Sequence, residues 1–508
     1  MPFLAQYTIR SKQAYIFRTN RMVEIVGASL IIRDTFLDLF RCAEAAGLRC
    51  EQDDGSSFSM AETLRCFQDG ALDAVELFRG GGNDTVLFRD VETFKRANEA
   101  YTRFVLERYP GLLPFCVGSV AECVDYRADY SALMTKVHHC KSAMQNGRVE
   151  NAQPFARLNQ TTLQAVCVEN RRGQRVEYRT AESDAKYRKG LQSAMTDEAT
   201  RFLDSIARDE RQSLLAVVHA DGNSMGVKLQ NMLGNETDYD FCVNHMRTFT
   251  REVHRLFASG GKAAVERCRL GLAEKYPAEP KNNQLVRWIV ADGDDATFIC
   301  NAKFALELTQ AYLEGVETAG RELGKSYSAC AGICVFHSHY PFSRAYELAE
   351  QACSNAKKPV HENRKEQAWV DFHYLRSGVN GELEDIRELH QTQRCIARPW
   401  FVCGEQPPAD RQLETLKQLD GLLKDAKVAR TQIKNLGAAF EASPEDGELS
   451  WRRICYNAGH NNLRRKSEEL FNGDPAMLYR ALYDMSDFYD VWFQKRGEKY
   501  GTAQDPIA

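Results

Sequence analysis

Leu214-Leu215-Ala216-Val217-Val218-His219-Ala220-Asp221-Gly222-Asn223-Ser224-Met225-Gly226 is an aliphatic run that ends on a carboxylate and a turn. Its first half reads as a buried β-strand, because β-branched and aliphatic residues fill it. Gly222 and Gly226 then permit a tight turn that leaves backbone N–H groups exposed. About seventy residues later, the apolar runs 285–291 and 296–300 flank Asp292-Gly293-Asp294-Asp295, a hairpin with an acidic tip. If the two strands pair, Asp221 and Asp294 or Asp295 converge on one point. Carboxylates held that close repel each other unless a cation lies between them, and hard oxygen ligands favour magnesium or manganese. Two such ions can clamp the attacking and leaving oxygens of a phosphoryl transfer.

Asp-Gly is the commonest hairpin turn, and an acidic turn taken alone is usually only solvated. The combination is what carries information. A strand, a carboxylate and a small-residue loop, followed by a helix and then an acidic hairpin, is the layout of a nucleotidyl-transfer palm. The loop Gly222, Asn223, Ser224, Met225 and Gly226 would lay its N–H groups against a triphosphate, as a glycine-rich nest does.

Outward from this segment the chain divides into four expected parts: 1–125, 126–211, 212–377 and 378–508. The first reads as strand 5–10, helix 22–46, a hairpin around 80–88, helix 91–109 and strand 115–120. Phe94, Ala97, Tyr101, Phe104 and Val105 supply the helical spacing, and Pro110-Gly111 stops it. Thr8 or Arg10 stands there where a metal carboxylate would be, so this first palm-like unit is expected to be catalytically silent. The second part is a mainly helical connector, with a helix over His138 and His139, an irregular middle around Asn159, and a helix 184–207. Adjacent histidines on a helix project in different directions, so no shared metal is expected. The third part is a second palm with a long helical insert over 238–274. In the fourth, Leu413, Leu416, Leu419 and Leu422-Leu423, then Leu478, Leu482 and Phe488, give core-facing helical stripes. The segment 443–447, Ser-Pro-Glu-Asp-Gly, reads as a loop within it. The fold class is α+β: two ferredoxin-like palm domains, a helical connector and a C-terminal helical domain.

At these residues the chain resembles the polymerase-like large subunit of type III CRISPR effector complexes, whose second palm carries a Gly-Gly-Asp-Asp hairpin. The run 327–337, with Tyr340-Pro341-Phe342 and helix 345–358, is similar to that family's closing strand and helix. Residues 369–375 look like its last palm strand. Residues 13–17, Gly27-Ala28-Ser29 and the run 80–88 look like its first palm, and residues 428–434 are weakly similar to the start of its helical domain. The resemblance implies cyclic or linear oligoadenylate synthesis from ATP as an antiviral second messenger. In that reading Asp221, Asp294, Asp295 and the Gly222 carbonyl hold the metal. Lys357 or Lys358 contacts a terminal phosphate, and Gly80, Gly81, Gly82 and Asn83 hold an acceptor nucleotide between the palms. CRISPR RNA and effector-complex subunits, or a second copy of the chain, are the partners it implies.

The sequence departs from that family in three places. It contains no His-Asp dipeptide and begins almost directly with a palm-like strand, so cleavage of DNA by an HD nuclease is not expected. Between the palms, residues 155–189 hold Cys167 alone, so a zinc site is not expected. Asp292 replaces the first glycine of the hairpin motif.

Composition excludes other classes. Hydrophobic residues make up 44% of 508 and charged residues 27%, which is globular rather than disordered. There is no apolar run of membrane-spanning length, and sixteen cysteines without Cys-x-x-Cys spacing read as reduced thiols of a cytoplasmic protein. A formal charge of -4 gives no general footprint for nucleic acid, and clusters such as Arg464-Arg465-Lys466 read as solvated surface. Two other enzymes share this palm and metal geometry: a GGDEF-type cyclic dinucleotide synthase and a purine nucleotide cyclase. A non-catalytic subunit that holds guide RNA and other subunits is the remaining alternative. Three mutually repelling carboxylates weigh against it, since a retired site has no need of them.

Overall fold

The computed structural model describes residues 1–143, 155–159, 164–172, 175–192, 206, 214–275, 285–375, 381–389, 394–457 and 461–493. Thirteen strands form two larger sheets and one hairpin among these residues. The first sheet contains β1 (Phe3–Ile9), β2 (Cys50–Glu51), β3 (Ala74–Gly80), β4 (Asn83–Phe88) and β5 (Pro114–Val120), in the order β2-β3-β4-β1-β5. The tight turn between β3 and β4 is possible because Gly81 and Gly82 adopt φ of 58° and 67°, where a side chain would be strained. The expected hairpin at 80–88 is therefore only its turn and second strand; β3 supplies the first.

Between the sheets, β6 (Val166–Arg172) and β7 (Arg175–Thr180) form a two-stranded hairpin in the stretch expected to be irregular. The helix Ala181–Leu191 follows it, and most of the expected helix 184–207 lies outside the described residues. The second sheet contains β8 (Leu214–Gly222), β9 (Val286–Asp292), β10 (Asp295–Asn301), β11 (Ala329–His337), β12 (Gln367–Tyr374) and β13 (Trp400–Gly404). Its order is β13-β12-β11-β8-β10-β9. β13 was expected to belong to the helical C-terminal part, but Val370 and Trp369 of β12 pair with its Trp400 and Phe401.

Two compact units result. One comprises Met1–Leu203, Ser224–Ala258 and Ile289–Asp294; the other comprises Asp204–Asn223, Ser259–Trp288 and Asp295–Ala508. In the first unit, Leu4, Leu77 and Leu87 of the first sheet pack with Leu133 and Val137 of the helix Tyr126–Ala143. Tyr239, Cys242, Val243 and Met246 complete that core. These four lie on the helix Tyr239–Val253, which the sequence placed as an insert of the second palm. Its apolar face instead covers the first sheet.

In the second unit the helix Phe342–Asn363 lies on β11. It approaches closely because the contact residues are small: a Cβ on Gly332 would stand 2.0 Å from the Ala349 carbonyl oxygen. Ala345, Ala349, Ala352 and Ala356 are fully buried on the helix side. A fixed helix here matters, since it carries Lys357. Leu413, Leu416, Leu419 and Leu423 of the helix Leu413–Asp425 are buried as their spacing predicts, while Leu422, one position before Leu423, is only half-buried. Residues 443–447 are not a loop: Pro444 opens the helix Pro444–Asn457, and the Ser443 hydroxyl accepts the Asp446 N–H at 3.0 Å. Proline in a first helical turn loses no hydrogen bond, so the Ser-Pro-Glu-Asp signal is a helix start.

A buried ionic network joins β12 to the helical part of this unit. Asp371, with no exposed surface, accepts from both terminal nitrogens of Arg387 at 3.0 and 2.9 Å and from Asn355 at 2.7 Å. Asp484 on the helix Pro475–Phe488 accepts the Trp400 indole N–H at 2.9 Å and the Arg398 backbone N–H at 2.9 Å. Among the described residues, no helix is long and apolar enough to cross a membrane.

Candidate nucleotidyl-transfer site

β8 runs between β10 and β11, and its last residues meet both neighbours. Asp221 stands directly opposite Asp295 of β10 on one side and Cys330 of β11 on the other. Directly opposed residues project to the same face of an antiparallel sheet, so the Asp221 and Asp295 carboxylates share a face. Of the two acids proposed to meet Asp221, the register selects Asp295; Asp294 precedes it in the turn. The side chain of Asp292 lies outside the described residues.

Lys357 comes to the same place from the helix Phe342–Asn363. Its ammonium donates to the Asp221 carboxylate and, at 2.9 Å, to the Gly222 carbonyl oxygen. Burial pulls the Lys357 ammonium down, but the Asp221 carboxylate outweighs it and holds the pKa above the ordinary lysine value. Lys358, the other expected phosphate contact, is exposed. His219, two residues before Asp221, is 6% exposed, packs against Tyr346 and faces Thr297 at 3.2 Å. Burial pushes its pKa down to about 4, so it is neutral near pH 7. Burial also pushes the Cys330 thiol up to about 12, which removes it as a nucleophile.

Asn223 turns inward. It is 1% exposed, and its side-chain amide donates to the Ser328 hydroxyl at 2.8 Å and the Gln367 carbonyl at 2.9 Å. Its backbone N–H donates to the Ser328 carbonyl at 3.0 Å, so this amide, expected to face a triphosphate, is already used. Ser328 in turn donates to Glu366 at 2.8 Å. These residues brace the Asp-Gly-Asn turn, and sequence reading missed them because they arrive from other strands. The chain then enters the helix Met225–Leu233 through Ser224, in the left-handed region at φ 56°. No side chain caps that helix start, and the space around Gly226 is open. First-turn N–H groups lack helical partners, so the amides of Met225 and Gly226 remain suited to an anion.

The first sheet repeats the arrangement without the charges. Thr8 of β1 pairs with Asn83 of β4, as Asp221 pairs with Asp295, so Thr8 rather than Arg10 is the counterpart of Asp221. Ser11 before the helix Lys12–Ile16 is left-handed at φ 51°, matching Ser224. Lys12, also missed in the sequence, donates to the Gly81 carbonyl at 2.8 Å. Within the first unit, residues 80–83, Met225, Gly293 and Asp294 line one cavity of about 770 Å³, with Arg79 and Arg251 in its wall. Gly81 is close enough to Gly293 that a Cβ there would stand 3.7 Å from the Gly81 Cα.

Among the described residues, no three acidic, histidine or cysteine side chains stand close enough to hold a metal ion together. Asp221 is held instead by Lys357. The donors nonetheless fit magnesium or manganese. A carboxylate and a carbonyl oxygen already converge on one cation, the Lys357 ammonium, and both are hard oxygen ligands.

Residues 214–367 match the family model for the second palm domain of Cas10/Cmr2. No curated protein matches the chain. Among solved structures, a Csm1–Csm4 cassette in complex with cA4 is similar at 12% identity and a TM-score of 0.48, over 96% of this chain and 69% of that one. Csm1 in T. onnurineus gives the same identity, TM-score and coverage. The Csm1–Csm4 subcomplex of the type III-A CRISPR–Csm interference complex matches at 11% identity, a TM-score of 0.47 and the same coverage. The likeness to the polymerase-like large subunit of type III CRISPR effector complexes is carried most specifically by residues 214–367, the stretch that matches the Cas10/Cmr2 second palm domain.

Proposed function

We propose that this chain is a metal-dependent nucleotidyltransferase that joins ATP into cyclic or linear oligoadenylate, within a CRISPR-type antiviral effector complex. The observation that carries the proposal is the register of Asp295 opposite Asp221, beside the Gly222 carbonyl, in a segment matching the Cas10/Cmr2 second palm. Asp221, Asp295, the Gly222 carbonyl and Asp294 would hold magnesium or manganese. Bound there, the metal would acidify the attacking ribose hydroxyl and neutralise the leaving pyrophosphate.

The remaining roles belong to the chain itself. The amides of Met225 and Gly226 receive phosphate oxygens, aided by the positive end of their helix. Asn223, braced by Ser328 and Gln367, keeps the Asp221–Gly222 turn from rotating away. Residues 80–83 and Asp294, on one cavity wall, hold the acceptor nucleotide, with Arg79 and Arg251 available to its phosphates. The adenine preference and the partner subunits of an RNA-guided complex rest on the family resemblance.

The test is incubation of the purified chain, alone and with its effector-complex partners, with each labelled nucleoside triphosphate and magnesium, followed by identification of products by mass. Oligoadenylate from ATP is the expected result. Products made from GTP alone would move the chain to a GGDEF-type synthase, and a monomeric cyclic nucleotide to a cyclase. No product under any condition would leave the palms as a scaffold for RNA and other subunits.

A further inference from the structure

Lys357 sits on the two oxygens that the proposed metal site needs. Its ammonium contacts the Asp221 carboxylate and the Gly222 carbonyl oxygen at once, while its side chain keeps 17% of its surface exposed. A divalent cation cannot take those oxygens while the ammonium remains, because two positive charges would be forced into contact distance in a half-buried setting. The stem allows an exit: four flexible methylenes carry the charge, and the solvent-exposed Lys358 is its chain neighbour.

We propose that Lys357 is a displaceable internal counter-ion, which closes the cation position at Asp221 and Gly222 in the metal-free protein and must swing out for a divalent ion to enter. The inference rests on the reading of Asp221 and Gly222 as metal ligands. It explains why Asp221 tolerates a second carboxylate directly opposite, an arrangement that is otherwise unfavourable. It also joins metal and nucleotide in one equilibrium. The expelled ammonium needs a new anion, and a triphosphate supplies it, so each ligand raises the affinity for the other by the same factor.

The experiment uses the full chain and Mn²⁺ without nucleotide. Bound Mn²⁺ is followed by electron paramagnetic resonance, and amine acetylation at Lys357 is followed by mass spectrometry, with Lys358 as the internal reference. Saturating Mn²⁺ should raise the acetylation rate at Lys357 several-fold and leave Lys358 unchanged. Lys357→Gln should bind Mn²⁺ about ten-fold more tightly than the wild type, within the usual range of coupling between two ligands. Mn²⁺ binding with no rise in Lys357 acetylation would overturn the counter-ion role and leave the metal reading standing. Equal or weaker Mn²⁺ binding by a folded Lys357→Gln would also overturn it. If neither protein takes up Mn²⁺, the metal reading itself fails and this inference with it.

Discussion

The β3–β4 and β9–β10 hairpins are built alike and charged differently. Each follows a strand, a left-handed serine and a helix start, and each places its second strand beside the strand that led into that serine. In the first sheet the paired positions are Thr8 and Asn83, and the turn is Gly81-Gly82. In the second they are Asp221 and Asp295, and the turn is Gly293-Asp294. A neutral pair needs no counter-ion. An opposed pair of carboxylates does, and the Lys357 ammonium donates to Asp221, whereas Lys12 at the first hairpin donates only to the neutral Gly81 carbonyl. The shared backbone builds the same turn twice, while only the second copy sets two carboxylates face to face.

The sharpest way to break this comparison is to substitute the matched positions. Asp295→Ala should lower oligoadenylate formation on the order of 10³-fold or more, whereas Asn83→Ala should lower it less than about ten-fold. Mass-resolved product yields from ATP would check both. Equal losses would mean that the two hairpins share the chemistry. Circular dichroism should find Asp295→Ala folded and no less heat-stable in metal-free buffer, since one repelling charge is gone.

Two fully buried acids, Asp371 in the second unit and Asp84 in the first, are shifted in opposite directions. Burial drives Asp371 up, but Arg387 foremost, then Arg398 and Asn355, hold its carboxyl below the ordinary range. Asp371→Asn should cost about 3–5 kcal/mol in a urea titration at pH 7, because Arg387 loses its buried counter-charge. Its contribution is present above the unfolded carboxylate pKa and is lost as pH falls through the lower folded value. A much smaller cost would mean that Arg387 finds another partner.

Packing gives a second, smaller contrast. A Cβ at Gly332 would meet helix backbone at 2.0 Å, whereas one at Gly118 would meet the ring edge of Phe3 at 2.1 Å. A ring can turn aside; a helix must shift. Gly332→Ala should cost about 2–3 kcal/mol and Gly118→Ala about 1 kcal/mol or less, read from denaturant midpoints. The reverse ranking would contradict the close seating of the helix on β11.

Asp84 provides the subtlest test. It is fully buried in β4, and burial followed by the nearby Glu76 pushes its pKa well up, against the smaller lowering effects of Arg79 and the Thr85 backbone N–H. A raised folded pKa means that the folded state keeps its proton to higher pH than the unfolded state does. The sign is opposite to that of Asp371: stability is full below the unfolded pKa and falls as pH rises toward the raised folded value. Asp84→Asn should become progressively more stable than the wild type between pH 4 and neutrality. Parallel pH–stability curves for the two proteins would show that Asp84 is ionised when folded.

Local patterns were enough to read the strands at β8 and β10 and the leucine stripe of residues 413–423, while the helix that carries Lys357 was read from the family resemblance. Period-two and period-3.6 spacing report which face is apolar, and glycine reports where φ turns positive. Ser443-Pro444 was legible too, had it been read as a helix cap rather than a breaker. Residues that brace or oppose the site were not legible, because each meets it across many intervening residues. Ser328 and Gln367 approach Asp221-Gly222-Asn223 from other strands, and no spacing rule links them; Lys357 was named as a phosphate contact, but its contact with Asp221 and Gly222 was not foreseen.

The sequence by itself determined which carboxylates were available, that they ended strands, and that one palm lacked them. Only the tertiary structure decided that Asp295 rather than Asp294 opposes Asp221, that the Asn223 amide is spent on Ser328, and that the helix Tyr239–Val253 covers the first sheet. The physical reason is that side-chain periodicity fixes the face a residue presents, while register and long-range packing fix which neighbour it meets there.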